Sequence, residues 1–241
     1  MRILSMFVLT ALLGASAILP GQTRDDDWNR CKGSDPDQQI AGCTALIQSG
    51  QENNVNLAAA FNNRGNAYRQ KGDYDRAIQD YNEAIRLDPS DTYAYTNRGM
   101  AYYEKGNYDR AIKDNDQAIR INPSFANAFN DRCFYRAIVG QLQSALADCN
   151  QALTLRPNIA ELIDSRGFVY LKMKNPDAAI ADYNAALAIK PRLASSLYGR
   201  GLAEQMKGGQ AAADADIAAA KAIQSDVASD FAKWGVPASK P

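Results

Sequence analysis

The sequence predicts an all-α solenoid, in which pairs of antiparallel helices stack one after another along the chain. Three observations support this fold. The 241-residue sequence repeats with a period of 34 residues, small residues recur at fixed positions within each period, and most periods end close to a proline. A period of this length is typical of repeat proteins, in which each unit buries its apolar face against its neighbours.

Five units of 34 residues follow one another without an insertion. They span residues 58–91, 92–125, 126–159, 160–193 and 194–227. Counted within the unit, positions 20 and 27 are alanine throughout, and position 8 is glycine except in unit three, where it is Cys133. Four units carry a proline near their end, and these are Pro89, Pro123, Pro157 and Pro191.

Each unit has the pattern of two amphipathic helices. In unit one the first helix is predicted over about 59–70 and stops near Gly72, because glycine readily takes the positive φ that ends a helix. The second helix begins near Tyr74 and ends before Asp88-Pro89, because proline cannot continue a helix. The small residues allow the two helices to approach closely.

These residues resemble the tetratricopeptide repeat, whose signature is a 34-residue helix-turn-helix with glycine, tyrosine, alanine and proline at these spacings. The resemblance covers 170 of the 241 residues and implies a right-handed α-solenoid of tandem helix-turn-helix repeats. One departure is consistent. Position 7, usually leucine in the family, is arginine in every unit, and these residues are Arg64, Arg98, Arg132, Arg166 and Arg200.

Position 23 is aspartate in every unit, and these residues are Asp80, Asp114, Asp148, Asp182 and Asp216. In an antiparallel hairpin, position 7 lies near position 23, so we predict a ladder of Arg–Asp pairs within or between units. If exposed, each pair contributes only about 0–1 kcal/mol. The alternative, that the arginines bind an acidic polymer, is disfavoured because every cation has an anion at matching spacing.

Residues 1–20 have the features of a secretory signal peptide. Arg2 precedes the uncharged stretch 3–19, and the small residues of Ala15-Ser16-Ala17 predict cleavage near Ala17. The alternative is an uncleaved membrane anchor, since this stretch is at the lower edge of the length that spans a bilayer. We therefore expect an exported protein of bacterial type, periplasmic or secreted, with no membrane span after cleavage.

Residues 24–57 are predicted to form a degenerate N-terminal half-repeat. Its second helix, 35–47, aligns with that of unit one so that Cys43 takes position 24. Its first helix, around 28–32, is short, and 51–57 is predicted as an irregular joint.

Residues 228–241 are predicted to be a capping helix and tail. Phe231 and Trp234 fall at positions 4 and 7 of a truncated sixth unit. A solenoid needs such atypical ends to cover the apolar faces of its terminal repeats.

The four cysteines predict two disulfides. Cys133 and Cys149 take positions 8 and 24 of one unit, which face each other at a Cα separation of roughly 4–5 Å. Cys31 is the only cysteine near Cys43, so the second predicted bond pins the N-terminal half-repeat. Zinc is disfavoured because Cys-x-x-Cys pairs are absent, and reactive thiols because no partner base is evident. Two disulfides indicate an oxidising compartment.

The absence of histidine excludes the Ser-His-Asp and Cys-His catalytic systems and every His-ligated metal site. Lysine and arginine number 27 against 27 aspartate and glutamate, so the basic excess of nucleic-acid-binding modules is missing. The sequence also has no phosphate loop or nucleophile elbow. We therefore predict a protein that is not an enzyme, with no cofactor and no nucleic-acid partner.

The family resemblance implies a concave groove lined by the first helices of successive units. Its lining positions vary between units whereas the packing positions do not, as expected for a recognition surface. The groove residues carried over from the family are Asn62, Asn66, Arg69, Tyr93, Asn97, Met100, Tyr103, Asn130, Asp131, Phe134, Asp164, Phe168, Leu171, Tyr198 and Leu202. For Phe134 and Phe168, packing between repeats is an equally good interpretation.

The best-known groove of the family clamps a C-terminal carboxylate with lysine, asparagine and arginine side chains. Asn66 and Asn97 match its asparagines, but Asn62, Asn127 and Asp131 stand where basic residues are needed. Such a clamp is therefore not expected here.

Two function hypotheses remain. The first is a scaffold of the periplasm or cell envelope that binds a peptide segment or partner protein in the groove, through asparagine amides and apolar pockets. The alternative is a glycan-binding module, in which Tyr93, Tyr103 and Phe134 stack on sugars and Asp131 and Asp164 accept hydroxyl bonds. Glycan binding requires solvent-exposed flat rings. The oligomeric state is left open.

Overall fold

In the computed structural model, residues 23–236 are described, and they form thirteen α-helices with no β-strand, which confirms the predicted all-α fold. The predicted signal peptide, 1–20, and the last five residues, 237–241, lie outside the described residues. The signal peptide therefore stays a prediction.

Helices α1 and α2 form an N-terminal hairpin, α3 to α12 form units one to five in pairs, and α13 follows unit five. Their bounds are α1 Arg24–Cys31, α2 Pro36–Ser49, α3 Asn54–Gln70, α4 Tyr74–Leu87, α5 Thr92–Glu104, α6 Tyr108–Ile121, α7 Ala126–Ile138, α8 Leu142–Leu155, α9 Ala160–Lys172, α10 Pro176–Ile189, α11 Ala194–Met206, α12 Gln210–Ile223 and α13 Val227–Lys233.

Capping side chains explain most of these boundaries. Asp73 and Asn107 cap the second helices of units one and two, where each side chain accepts a hydrogen bond from a first-turn backbone N–H. Asn53 caps α3 in the same way, so this helix begins at Asn54. The predicted irregular joint over 51–57 is therefore wrong for 54–57, because the helix that Asn53 caps begins more than one turn earlier than predicted.

The turn between the two helices of a unit needs a left-handed backbone at position 15. Glycine fills it in four units, and these residues are Gly72, Gly106, Gly140 and Gly208, with φ of 72–83°. In unit four the residue is Lys174, with φ of 57°. A non-glycine residue there costs of order 1 kcal/mol, which the packing of unit four offsets.

Close helix packing follows from the small residues, as predicted. The alanines at positions 20 and 27 of all five units have no exposed surface. At position 8, a Cβ atom added to Gly65 would lie 2.7 Å from the ring of Tyr81 at position 24, so glycine admits the tyrosine. The same pair recurs as Gly167 and Tyr183.

The stacking of the units creates an inner and an outer face. Neighbouring first helices, such as α7 and α9 or α9 and α11, contact one another, whereas within the described residues no such contact joins neighbouring second helices. The first helices therefore converge on the concave side and the second helices spread apart on the convex side.

The predicted Arg–Asp ladder is present, and each pair lies within one unit. Nε and Nη2 of every position-7 arginine donate to both carboxylate oxygens of its position-23 aspartate at 2.6–2.9 Å. The pairs are largely buried, since the aspartate side chains are only 6–15% exposed. Removing one partner therefore costs more than it does at a surface pair, because it strands a buried charge.

The third guanidinium nitrogen of each of these arginines, Nη1, links its unit to the one before it. Nη1 donates to position 25 of the preceding unit, for example from Arg98 to Asn82 at 2.7 Å and from Arg166 to Asn150 at 3.0 Å. In unit one, Nη1 of Arg64 reaches Thr44 of the N-terminal hairpin at 3.1 Å. One side chain thus fixes both the hairpin and the stacking of neighbouring units.

Both predicted cysteine pairs have their sulfur atoms at bonding distance. The Cα atoms lie 4.6 Å apart in Cys31–Cys43 and 5.4 Å apart in Cys133–Cys149. All four side chains are fully buried. The first bond joins α1 to α2, and the second replaces the glycine–tyrosine contact of units one and four.

Candidate functional site

The predicted groove residues lie on the concave face, but their exposure differs between its two ends. In units one to three they are partly exposed. In units four and five, Phe168, Leu171, Tyr198 and Leu202 are at most 5% exposed. The prediction that these four residues form an open binding surface is therefore wrong, because another part of the chain covers them.

The covering element is the C-terminal segment, residues 227–236, which comprises α13 and the residues after it. Phe231 is 1% exposed and packs its ring 4.9 Å from that of Tyr198 and 5.8 Å from that of Phe168, measured between centroids. A first helix of a sixth unit would stack beyond unit five. This segment instead folds back over the concave face.

Trp234 carries the C-terminal segment as far as unit two. Its ring centroid lies 5.0 Å from Phe134 and 5.7 Å from Phe168, and its indole Nε1 donates to the hydroxyl of Tyr103 at 2.9 Å. Lys172 Nζ donates to the backbone carbonyl of Trp234 at 2.6 Å. Phe134 and Phe168 thus line the groove and also pack against this segment.

The N-terminal end of the groove stays open and polar. Asn97 Nδ2 donates to Asn62 Oδ1 at 2.9 Å, and the hydroxyl of Tyr81 donates to Asn66 Oδ1 at 2.7 Å. Each asparagine keeps further hydrogen-bonding capacity, since an amide offers two donors and an acceptor with two lone pairs. Tyr93 is 60% exposed at the edge of this region.

Two buried atoms in this region have no hydrogen-bond partner. They are Nε of Arg69 and Oδ1 of Asn130, both of which belong to residues that line the same cavity. Buried polar atoms are nearly always paired in native proteins, so each of these positions is suited to a group that a ligand brings.

This cavity lies between the open and the covered parts of the groove. Its volume is about 300 Å³, and we call it the acidic cavity because four carboxylates line it. These are Glu104, Asp131, Glu161 and Asp164. Its aromatic walls are Tyr103, Phe134, Tyr135, Phe168, Phe231 and Trp234.

Burial shifts the titration of two carboxylates in the acidic cavity. It raises the pKa of Asp131 to about 7, an effect that a hydrogen bond from Asn130 partly offsets. It also raises the pKa of Asp164 to about 6, although the hydroxyls of Ser195 and Ser196 donate to that carboxylate. Both groups therefore change charge near neutral pH.

A second cavity, of about 670 Å³, lies on the other side of the C-terminal segment. Its lining mixes apolar Leu171, Leu202 and Met206 with the polar Lys172 and Gln205. The nitrogen of Lys172 is occupied by the carbonyls of Ile138 and Trp234.

Sequence reasoning missed several residues of the site. The repeat pattern places Phe231 and Trp234 in a sixth unit and not in the groove, and it does not indicate Ser195 or Ser196. Tyr135 was also missed, although its ring stacks on Tyr103 at 5.2 Å. The one available signal was a pair of large aromatic residues close to the C-terminus in a chain whose groove is aromatic.

Across residues 23–236, no helix combines the length and the apolar character needed to cross a membrane. Within the same range, no cluster of three or more cysteine, aspartate or glutamate side chains has the arrangement of a metal site.

Comparison with protein families identifies three matching segments. A model described as TPR repeat matches residues 65–106, and models described as Tetratricopeptide repeat match residues 92–125 and 160–193. The search of curated protein sequences found no significant match to the chain.

Solved structures show the same fold. MamA is 25% identical, over 68% of this chain and 96% of its own, with a TM-score of 0.56. YrrB, described as a TPR protein with an unusual peptide-binding site, is 23% identical, over 76% of this chain and 93% of its own, with a TM-score of 0.56. A tetratricopeptide repeat protein from Parabacteroides merdae ATCC 43184 is 19% identical, over 87% of this chain and 85% of its own, with a TM-score of 0.70.

Proposed function

Because this chain is a tetratricopeptide-repeat protein, with the architecture of a protein-interaction scaffold, we propose that it binds an extended peptide segment of a partner in its concave groove. The bound segment lies along units one to three, where the groove is open. The role is non-catalytic, and no cofactor takes part.

The observation that carries this proposal is the unused hydrogen-bonding capacity of the open groove. Nε of Arg69 and Oδ1 of Asn130 are buried without partners, and the amides of Asn62, Asn66 and Asn97 lie on the same face. An extended peptide presents a backbone N–H and C=O at nearly every residue. Its C=O groups can therefore accept from the unpaired donor of Arg69, and its N–H groups can donate to the unpaired acceptor of Asn130.

The groove geometry disfavours glycan binding. Sugar stacking needs flat rings that are exposed to solvent, but Tyr103 stacks on Tyr135 and also bonds the indole of Trp234, and Phe134 is only partly exposed beside that indole. Of the three predicted stacking residues, only Tyr93 is mostly exposed, and its ring makes an edge contact with Phe125 at 5.1 Å.

We also propose that the protein acts in the periplasm or outside the cell. The two cysteine pairs support this, because buried disulfides persist in oxidising compartments. The test is to titrate thiols in denatured, unreduced protein isolated from the native host. Fewer than one reactive thiol per chain supports an oxidising location, and four reactive thiols would refute it.

Selection of random dodecapeptides displayed on phage tests the peptide-binding proposal. The groove variant combines Arg69→Ala with Asn97→Ala, and the matched control combines Arg120→Ala with Asn54→Ala, both of which are exposed outside the groove. We expect selected peptides to bind wild type and the control equally and the groove variant at least tenfold more weakly. Failure to enrich any peptide, or equal binding to all three proteins, would overturn the proposal.

A further inference from the structure

We propose that the acidic cavity binds the ammonium or guanidinium group of a lysine or arginine side chain carried by the bound peptide segment. This inference rests on the proposed function and names the chemistry that the groove selects. It follows from three features of the cavity, which are its charge, its aromatic walls and its size.

The charges of the cavity are not balanced from within. Among its four carboxylates, only Glu161 has a basic partner within ion-pair distance, Lys190. Arg69 is the one basic residue in the lining, and it makes no ion pair with any of them. When all four carboxylates are ionised, two negative charges therefore remain uncompensated, and a bound cation would restore neutrality.

The polar atoms that face the cavity are mainly acceptors. Oδ1 of Asn130 is buried and unpaired, and the Asp131 carboxylate has no cation within 4.0 Å and no donor besides Asn130. Asp164 already accepts from two serine hydroxyls, which orient its carboxylate. A group with several N–H donors and a positive charge satisfies these acceptors, and lysine and arginine are the side chains that supply it.

Aromatic rings complete the recognition of a cation. Tyr103, Phe134, Phe168 and Trp234 surround the cavity with ring centroids 5.0–5.8 Å apart between contacting pairs. Aromatic faces attract ammonium and guanidinium groups within about 6 Å, and the aliphatic stem of either side chain packs against ring surface. Norleucine, which has a similar stem but no charge, would gain only the second of these contacts.

The cavity is large enough to admit one long side chain. At about 300 Å³ it lies at the lower limit of small-molecule pockets, which run from about 300 to 1,000 Å³. Lys172, the basic residue on α9, does not supply the cation for this cavity, because its nitrogen donates to two backbone carbonyls.

Cation binding must compete with protons for Asp131 and Asp164. The titratable and charged groups that line the cavity beside these carboxylates are Arg69, Tyr103, Glu104, Tyr135 and Glu161. Lys172 lies over the ring of Phe168, and Asp230 acts electrostatically on Tyr103. A bound cation favours the ionised carboxylates. The preference for a cationic peptide should therefore weaken as the pH falls from 8 to 5.5, as both carboxyls become protonated.

The test uses four pools of blocked decapeptides that are random except at one central residue. That residue is lysine, arginine, norleucine or glutamate. Binding to the ¹⁵N-labelled full chain is followed by NMR through the indole N–H of Trp234, which is one of only two tryptophans and is assigned with Trp234→Phe. We expect the lysine and arginine pools to bind at least tenfold more tightly than the norleucine pool at pH 8 and to shift the Trp234 signal.

A matched pair of variants locates the effect. Combining Asp131→Asn with Asp164→Asn should lower the affinity for the lysine pool to that for the norleucine pool. The control Asp109→Asn, at an exposed site, should leave the preference for the lysine pool unchanged. The pH dependence of wild type provides a second readout that needs no variant.

The outcomes separate this inference from the proposed function. If the norleucine pool binds as tightly as the lysine pool, or the preference persists in the double variant or at pH 5.5, the cation site is refuted while peptide binding stands. If no pool binds at all, the proposed function fails and the cation site fails with it.

Discussion

Breaking the Cys133–Cys149 bond should destabilise unit three much more than its neighbours. The bond closes a loop with a sequence separation of 16 between α7 and α8. In the chain-entropy model a loop of this length contributes about 3 kcal/mol, and the separation of 12 in Cys31–Cys43 gives a similar value. We therefore expect the free energy of unfolding to fall by about 3 kcal/mol in Cys133→Ala/Cys149→Ala.

The fully buried position of this pair allows a sharper control. Units one and four place glycine and tyrosine where unit three has Cys133 and Cys149. The variant Cys133→Gly/Cys149→Tyr supplies that contact without the covalent link, so it should recover part of the loss. Wild type in reducing agent removes the bond while keeping the native residues at both positions.

Hydrogen exchange measures the effect unit by unit, since repeat proteins open in local steps. We expect amides of α7 and α8 to lose protection by about two powers of ten in the alanine variant, while those of α3 and α4 change little. Unchanged protection in α7 and α8, or a loss of unfolding free energy below about 0.5 kcal/mol, would refute the reasoning.

Three further predictions concern the charges and the C-terminal segment. Because burial raises the pKa of Asp131 to about 7, the contribution of Asp131 to stability falls as the pH rises from about 4 to 7, so Asp131→Asn should be more stable than wild type at pH 8 and lose that advantage at pH 4. Urea unfolding at both pH values checks this, and equal stability at pH 8 contradicts it. Arg98→Ala leaves the buried Asp114 without its cation and should lower the free energy of unfolding by about 3 kcal/mol in the same assay. Arg86→Ala, which breaks an exposed pair, should lower it by less than about 1 kcal/mol, and equal losses in the two variants would show that the buried pairs matter no more than surface pairs. Trp234→Ala should release the C-terminal segment and speed tryptic cleavage after Lys233, and an unchanged cleavage rate would show that the indole does not hold it.

The repeat, the ladder and the cysteine pairs were predictable because they depend on short-range geometry. Position 7 and position 23 are 16 residues apart, and a hairpin of two helices brings them together in the same way in every unit. Cys133 and Cys149 have the same separation, so the helical hairpin also determines their contact. Even the alignment of the N-terminal half-repeat proved correct, since Arg64 bonds Thr44, which that alignment places at position 25.

The open and covered parts of the groove were not predictable in this way. Trp234 and Tyr103 are 131 residues apart, and no repeat spacing relates them. Their contact depends on the summed curvature of four stacked units, which decides how far the C-terminal segment reaches over the concave face. The residues that lost their predicted exposure, such as Phe168 and Tyr198, are those that this segment covers.

The sequence by itself determined the helices, their pairing and the side chains that join one unit to the next, because each of these depends on contacts that recur every 34 residues. Only the tertiary structure decided which part of the groove is free and where the half-buried carboxylates Asp131 and Asp164 meet the aromatic rings. The physical reason is that burial and charge balance in the acidic cavity arise from six helices far apart in the chain, whose side chains share one partly desolvated space.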